Sequence, residues 1–354
     1  MLRTELCDML GIQYPIIQGG MAPWTTERLS VAVANAGALG VVSSIGLGMK
    51  LTPPVAVEDD ADWEQKSPYE LLRAILESVA EQTAEKQGVF GVNIPLAQEF
   101  GELVAGLIKA VSDSRKEDRE IANRLKVIIT SAGNPAPWGD SIKESGALWF
   151  HVVPSVAHAV KAERAGVDLV IASGREGGGH VAFEPVHTMV LLPAVVSAVD
   201  LPVVGAGGFC DGGTLAAALS MGAIGIQMGT RFIATQDSDF TEMWKEKILA
   251  SDEKGSLVGI SVFGPARYLK NEVSLKLNEL FKRGYREGYE EGVKLEMRGI
   301  RLLSEGDDPD NSIFIGGEVA GRIDRMPSVA ALIREISAEA EKVIEGLRGF
   351  VSRG

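Results

Sequence analysis

The sequence predicts an α/β protein, a (β/α)8 barrel with a smaller helical lobe. Three observations lead there. Eight short apolar runs alternate with longer segments of helical periodicity, and the runs show little alternation of apolar with polar residues, as strands buried on both faces of a parallel sheet require. The turn Asn35-Ala-Gly-Ala-Leu39, where a helix ends at a glycine and a small residue leads into a strand, recurs in Glu163-Arg-Ala-Gly-Val-Asp168 and in Ser220-Met-Gly-Ala-Ile224. Nearly every run ends in glycine or a small polar residue, the place where a parallel barrel gathers its chemistry. Periodicity by itself leaves a doubly wound open sheet as the competing arrangement.

In chain order, the expected strands cover residues 14–18, 39–43, 89–94, 126–130, 148–153, 168–173, 202–205 and 224–228. Helical patterns fall between them at 25–36, 68–85, 98–114, 141–145 (short), 155–165, 190–199 and 212–220. The acidic stretch 55–65 reads as a surface insertion. After Ile233 the character changes. Residues 271–300 hold 12 charged side chains, Glu296 among them, while Val273, Leu277 and Leu280 keep helical spacing. Residues 240–298 therefore read as a helical lobe outside the barrel, with a largely solvated surface. A loop at 306–311 and an amphipathic helix at 328–347 complete the chain. The expected division is 1–235 for the barrel, 236–300 for the lobe covering the site, and 301–354 for the return to the barrel and the C-terminal helix.

Composition narrows the function. Of 354 residues, 35 are Lys or Arg and 48 are Asp or Glu, a formal charge of −13. That argues against nucleic acid, which needs a basic face, and against a polybasic grip on anionic lipid. The two cysteines, Cys7 and Cys210, exclude a disulfide scaffold and disfavour a Cys-based zinc site. No apolar stretch is long and unbroken enough to span a bilayer, and the first 20 residues lack the pattern of a secretory signal. A cytoplasmic enzyme without a membrane partner is the expectation. Dimers are common among barrel enzymes, so a homodimer is one expected assembly.

The glycines carry the sharpest signal. Gly207-Gly208 and Gly229-Thr230 follow the last two strands, where such barrels commonly bind phosphate through close backbone N–H groups. The plain alternative is a pair of tight turns, but two such pairs at adjacent strand ends favour phosphate. A complete G-x-G-x-x-G is absent, because Cys210 stands where the third glycine belongs, and no P-loop or G-x-S-x-G occurs. Four histidines remain. His180 follows three glycines at the end of the sixth strand, which presents a titratable imidazole beside the phosphate loops and makes it the catalytic candidate. His151 reads as a packed strand residue, His158 as a surface helix residue and His187 as a helix entry. No metal-binding His pattern is present.

These motifs together are specific. Pro15-Ile-Ile-Gln-Gly-Gly-Met21, Asn35-Ala-Gly-Ala-Leu-Gly40, Gly91-Val-Asn93, Gly177-Gly-Gly-His180, Pro202-Val-Val-Gly-Ala-Gly-Gly208 and Gln227-Met-Gly-Thr-Arg-Phe232 resemble the FMN-dependent nitronate monooxygenases, formerly 2-nitropropane dioxygenases, and the related FMN-containing enoyl-acyl-carrier-protein reductases. The resemblance runs from Pro15 to about Phe232 and returns at Gly316-Gly-Glu-Val-Ala-Gly321. It implies an FMN-binding barrel. Gly20, Met21 and Asn93 would lie at the isoalloxazine, with Gly178 and Gly179 beside it. Gly207, Gly208, Gly229 and Thr230 would hold the phosphate, Gln227 and Met228 would line the same site, and His180 would be the active-site histidine. The family's usual Glu-Ala-Gly-Gly-His is here Glu176-Gly-Gly-Gly-His180, Ser173 stands where Gln is common, and Gly19-Gly20 replaces Ala-Pro before Met21. The residues after His180, Val-Ala-Phe-Glu-Pro-Val-His187, depart as well. These changes surround the substrate rather than the cofactor.

Three activities follow as expectations. The first is oxidation of alkyl nitronates with O2. The second is an NAD(P)H-dependent reduction of an enoyl thioester or a quinone, in which His180 would stabilise an oxyanion. The third, a flavin-binding barrel without catalysis, is disfavoured by the retained histidine and intact phosphate loops.

Overall fold

A computed structural model describes residues 2–97, 100–306 and 308–351. Eight parallel strands form the central sheet: β1 (Ile16–Gln18), β2 (Gly40–Ser43), β3 (Phe90–Pro95), β4 (Leu125–Ser131), β5 (Leu148–Val153), β6 (Leu169–Ser173), β8 (Val203–Ala206) and β9 (Ile226–Met228), in the order β1-β9-β8-β6-β5-β4-β3-β2. A parallel bridge between Ile17 and Leu39 brings β2 back to β1. The Gln18 side chain completes this seam: its Nε2 donates to Val41 O at 2.9 Å and its Oε1 accepts from Val41 N at 3.1 Å. A buried amide here substitutes for backbone pairing that the short β1 cannot supply. The sheet is thus a barrel, and the doubly wound alternative is set aside.

Strand alternation explains the filling. Val41, Val127, Ile129, Phe150, Leu169, Ile171 and Val204 point inward and form one core. Their neighbours Val42, Ile128, Val170 and Val203 point outward under the helices α2 (Glu27–Asn35), α3 (Pro68–Gln82), α4 (Gly101–Glu117), α7 (Val156–Ala165), α8 (Thr188–Val196) and α9 (Gly212–Ser220). The short α1 (Glu5–Leu10) seals the N-terminal end with Leu6 and Leu10. The expected start of the fourth-strand approach helix, Gln98, lies outside the described residues.

The chain's last helix, α14 (Val329–Leu347), packs its Val329, Leu332, Ile333 and Ile336 stripe beside α9 and α2. It takes the place of the eighth barrel helix, so the lobe is inserted between the eighth strand and its helix. That lobe contains α11 (Glu242–Leu249), α12 (Glu272–Arg283) and α13 (Tyr285–Glu305), but it is not helical throughout. Between α11 and α12 runs an antiparallel hairpin, β10 (Ser256–Ser261) and β11 (Gly264–Leu269), and a two-residue strand β7 (Gly179–His180) joins it through Ala266 and Arg267. The alternating Leu257-Val-Gly-Ile260 run before Phe263-Gly264 has strand character that the neighbouring charge density masks.

Candidate active site

At the C-terminal mouth of the barrel the inward positions change chemistry. One turn of the pleat above the apolar core, the inward residues are Ser43, Asn93, Ser131, Ser173 and Gln227. Asn93 Nδ2 donates to Ile129 O (3.1 Å) and to Ser131 Oγ (3.3 Å). Ser43 Oγ and Gln227 Oε1 are buried without a hydrogen-bond partner. Unpaired buried polar atoms are costly and ask for a ligand or water.

Above this ring lies a cleft lined by Gly20, Met21, Gly178, Gly207, Gly208, Gln227, Met228, Gly229 and Thr230, nine of the residues the motifs single out. Asn93 underlies it, its side chain pressed against the Cα of Gly20 so that any Cβ there would overlap it. Gly179 and His180 continue from Gly178 onto β7 at the lobe. Glu176, Ser173, Gly316 and Gly317 also line the cleft. A separate hollow lined by Trp24, Arg28, Lys50 and Asp239 contains none of the motif residues.

Two features make the cleft an anion cradle in form. Gly207 and Gly208 adopt φ of +86° and +87°, backbone that favours glycine. The N–H groups of Gly208, Phe209, Gly229 and Thr230 have no acceptor among the described residues. The neighbouring helix ends are already occupied by the protein's own carboxylates: Glu176 accepts from Thr188 N (3.0 Å) and Oγ1 (2.7 Å) at α8, and Asp211 and Glu339 cap α9. The free donors are therefore the loop amides, not the long helices.

The glycine run before His180 is explained by a second backbone. A Cβ on Gly178 would sit 2.6 Å from Gly317 N, and one on Gly317 would sit 2.6 Å from Glu176 O. Thr230 Oγ1 accepts from Gly317 N at 2.9 Å and ties this returning segment to the cradle. At Gly177 a Cβ would stand 3.3 Å from Gly174 O, a tight but tolerable fit for an alanine.

His180 follows Gly178 and Gly179 on β7; its edge is exposed, while protein packs closely around the ring. That desolvation pushes its pKa down to about 4, so the free imidazole is neutral at pH 7. Its Nε2 lies 3.1 Å from Ser261 Oγ on β10. Phe263, at the hairpin turn, stands 5.5 Å from the imidazole and 5.5 Å from Phe100, while Phe183 meets Tyr285 at 5.0 Å. The other histidines take the places expected of them. His151 is buried, with Nδ1 2.8 Å from Thr130 Oγ1; His158 is exposed beside Ser155; His187 stands at the entry to α8 without a side-chain capping bond. Cys210 is buried and its thiol is pushed up to about 12. Among the described residues no cluster has the makings of a metal site, and no helix is long and apolar enough to cross a membrane.

Sequence reading missed Ser261 and Glu296. Glu296 falls among the charges assigned to a solvated surface, but it is only 3 % exposed.

A closed parallel barrel with its polar residues gathered at the strand C-termini, beneath an inserted lobe, is the arrangement of α/β-barrel enzymes. The chain belongs to the nitronate monooxygenase family, whose model matches residues 3–339, and it is an oxidoreductase. It is similar to a Mycobacterium tuberculosis (strain ATCC 25618 / H37Rv) protein named (3aS,4S,5R,7aS)-5-hydroxy-7a-methyl-1-oxo-octahydro-1H-indene-4-carboxyl-CoA dehydrogenase, at 30 % identity over 96 % of both chains. A Staphylococcus aureus (strain N315) protein described as "Probable nitronate monooxygenase" is 32 % identical over 72 % of this chain and 75 % of its own. Among solved structures, FabK from Thermotoga maritima superposes with a TM-score of 0.81 at 32 % identity, covering 99 % of this chain and 100 % of that one. A nitroalkane oxidase from Streptomyces ansochromogenes, at 22 % identity and a TM-score of 0.74 over 96 % of this chain and 99 % of its own, shares the fold.

Proposed function

We propose that this chain is an FMN-dependent oxidoreductase that converts alkyl nitronates, with O2, to a carbonyl compound and nitrite. The observation that carries the reading is one juxtaposition: a cleft with four unpartnered backbone donors, one of whose lining residues, Gly178, leads within two residues to His180. The family is flavin-dependent in general, and the residues here fit FMN. The amides of Gly208, Phe209, Gly229 and Thr230 would hold its phosphate. Gln227 Oε1, an orphan acceptor at the mouth, would take a ring N–H, and Gly20, Met21 and Asn93 would form the bed of the ring. Gly178 and Gly179 would border it, and Met228 would close the side. Bound FMN would supply the electron-accepting ring system that no protein side chain provides.

The protein's own part is orientation and proton control. His180 faces the substrate, neutral before binding; it takes the acidic proton of a neutral nitroalkane, or gains a proton when the anion arrives. Phe100, Phe263 and Phe183 would offer exposed apolar surface on the His180 side. We read residues 1–235 as the cofactor-binding barrel, 236–300 as the cover and 301–354 as the return. The buried free thiols Cys7 and Cys210 suit a reducing, cytoplasmic setting.

A second reading, NAD(P)H-dependent reduction of an enoyl thioester, draws on the whole-length match to a relative named for a carboxyl-CoA. Exposed Phe183 and Phe263 at the mouth would then meet an extended apolar substrate. Anaerobic mixing of the flavin-loaded protein with propane-2-nitronate or with NAD(P)H separates the two. Bleaching of the visible band by nitronate alone supports the monooxygenase. Bleaching by NAD(P)H alone replaces it with the reductase, and absence of any flavin spectrum after adding FMN overturns both.

A further inference from the structure

Behind His180 lies a chain of hydrogen bonds that leads into the lobe and ends on a buried carboxylate. Ser261 Oγ lies 3.1 Å from His180 Nε2 and donates to Glu296 Oε1 at 2.6 Å. Tyr268 Oη, whose one hydrogen is shared between two acceptors, lies 2.7 Å from the same Oε1 and 3.0 Å from Ile260 O, and Val262 N donates to Oε2 at 2.9 Å. Glu296 comes from α13, Ser261 and Tyr268 from the hairpin, and His180 from β7, so three segments meet at one point. Glu296 has no cation within ion-pair distance among the described residues; Ser261 is fully buried and Tyr268 likewise. Burial raises the Glu296 pKa, while the three donors on its two oxygens pull toward the anion. The same burial, and the nearby carboxylate, push the Tyr268 phenol well up, so it stays a donor.

A serine hydroxyl has one hydrogen. With that hydrogen on the Glu296 carboxylate, Ser261 Oγ meets His180 only as an acceptor, and Nε2 must carry the ring proton. Nδ1 has no protein partner among the described residues and is left as a bare lone pair. We propose that Glu296 and Ser261 are positioning residues that fix His180 in its Nε2–H tautomer and thereby leave Nδ1 as the acceptor. This rests on His180 being the group that meets the substrate. Neutral His180 then cannot donate a hydrogen bond from Nδ1 to an oxyanion. It accepts a proton there first, and the resulting imidazolium is balanced by Glu296 through Ser261.

The test is long-range 1H–15N correlation on full-length protein labelled at histidine nitrogen and kept with the cofactor it purifies with, His180 being assigned from the His180→Gln spectrum. The expected wild-type pattern is a protonated shift at Nε2 and an unprotonated shift at Nδ1. Ser261→Ala and Glu296→Gln should each move both shifts toward a tautomer average, and Ser261→Thr should restore the wild-type pattern. A wild-type Nδ1–H tautomer overturns the proposal, even if no variant folds. Shifts unchanged in Ser261→Ala, or unchanged in Glu296→Gln alone, remove the corresponding residue's role and overturn it as stated. The readout needs no turnover. A protein inert to nitronate with the Nε2–H pattern intact counts against the nitronate reading and leaves the positioning chain standing.

Discussion

Gly208→Ala tests the cradle most directly, because its two costs can be separated. Gly208 has φ +87°, and a methyl there would touch only the Glu176 side chain, at 3.6–3.8 Å. The fold has room for it. The intrinsic cost is that of an L-residue in left-handed backbone, roughly 1–2 kcal/mol, which lowers Tm by a few degrees. Glu176 is itself a lining residue, so the same methyl enters the space above the free amides of Gly208 and Phe209. Losing one amide hydrogen bond to a charged phosphate is worth roughly 1.5–3 kcal/mol. FMN affinity should therefore fall by about 10–100-fold. Gly306→Ala is the control. Gly306 has φ +99° with nothing within 4 Å and lies beyond the end of α13, so it carries the backbone cost alone. Apo-protein of both variants is titrated with FMN by fluorescence quenching, alongside thermal melts. The expected result is a similar loss of Tm in both and weaker FMN binding in Gly208→Ala only. Equal FMN affinity in the two would refute the cradle.

Three further outcomes follow from the same structure. His180→Ala should keep FMN bound and slow nitronate turnover. It should also abolish the proton that wild type takes up on binding propane-2-nitronate at pH 7, measured by calorimetry in buffers of different ionisation heat; equal uptake in both proteins would remove His180 from contact with the anion. His151 is buried and its pKa is pushed down to about 4, against about 6.5 in the unfolded chain. Between those values the unfolded chain binds more protons, so stability rises with pH across that window, and His151→Gln should flatten the rise in urea midpoints. Ile336→Ala on α14 empties a buried position facing α9 and should cost about 2–5 kcal/mol in urea unfolding, with the FMN affinity of the folded protein unchanged.

The barrel was legible because its strands obey a rule that operates within each segment. A run buried on both faces is apolar throughout, and 148–153 is read to the residue for that reason. The turn after β8 was legible because backbone that needs positive φ, as at Gly207 and Gly208, is marked by glycine. The lobe was harder. Its hairpin carries Gly259 and Gly264 inside a strand-rich run, and the dense charges of α13 suggested a helical surface. Glu296 shows why composition misleads there. In the sequence it is one of many acidic residues on a solvated helix; in the fold the hairpin folds over it and three donors satisfy it. The pairing of β7 with β11 joins residues far apart in the chain, and no local pattern reports it.

This division has a chemical consequence. The donors that would hold a cofactor come from the loops after β8 and β9 and are braced by Gly317 through Thr230. The groups around His180 come from elsewhere: Ser261 and Phe263 from the hairpin, Glu296 of α13 behind Ser261, and, against Phe263, Phe100 from the approach to α4. All but the last belong to the segment inserted between the eighth strand and its helix. Such an insertion can change without disturbing strand register or the cradle, because the barrel closes through β1, β2 and α14 independently of it. Glycine motifs at the strand ends therefore identify the family while leaving the substrate open. If the nitronate reading holds, exchanging Phe263 of the lobe, or Phe183 of the loop after β7, for polar residues should alter KM for bulky nitronates before it alters flavin binding.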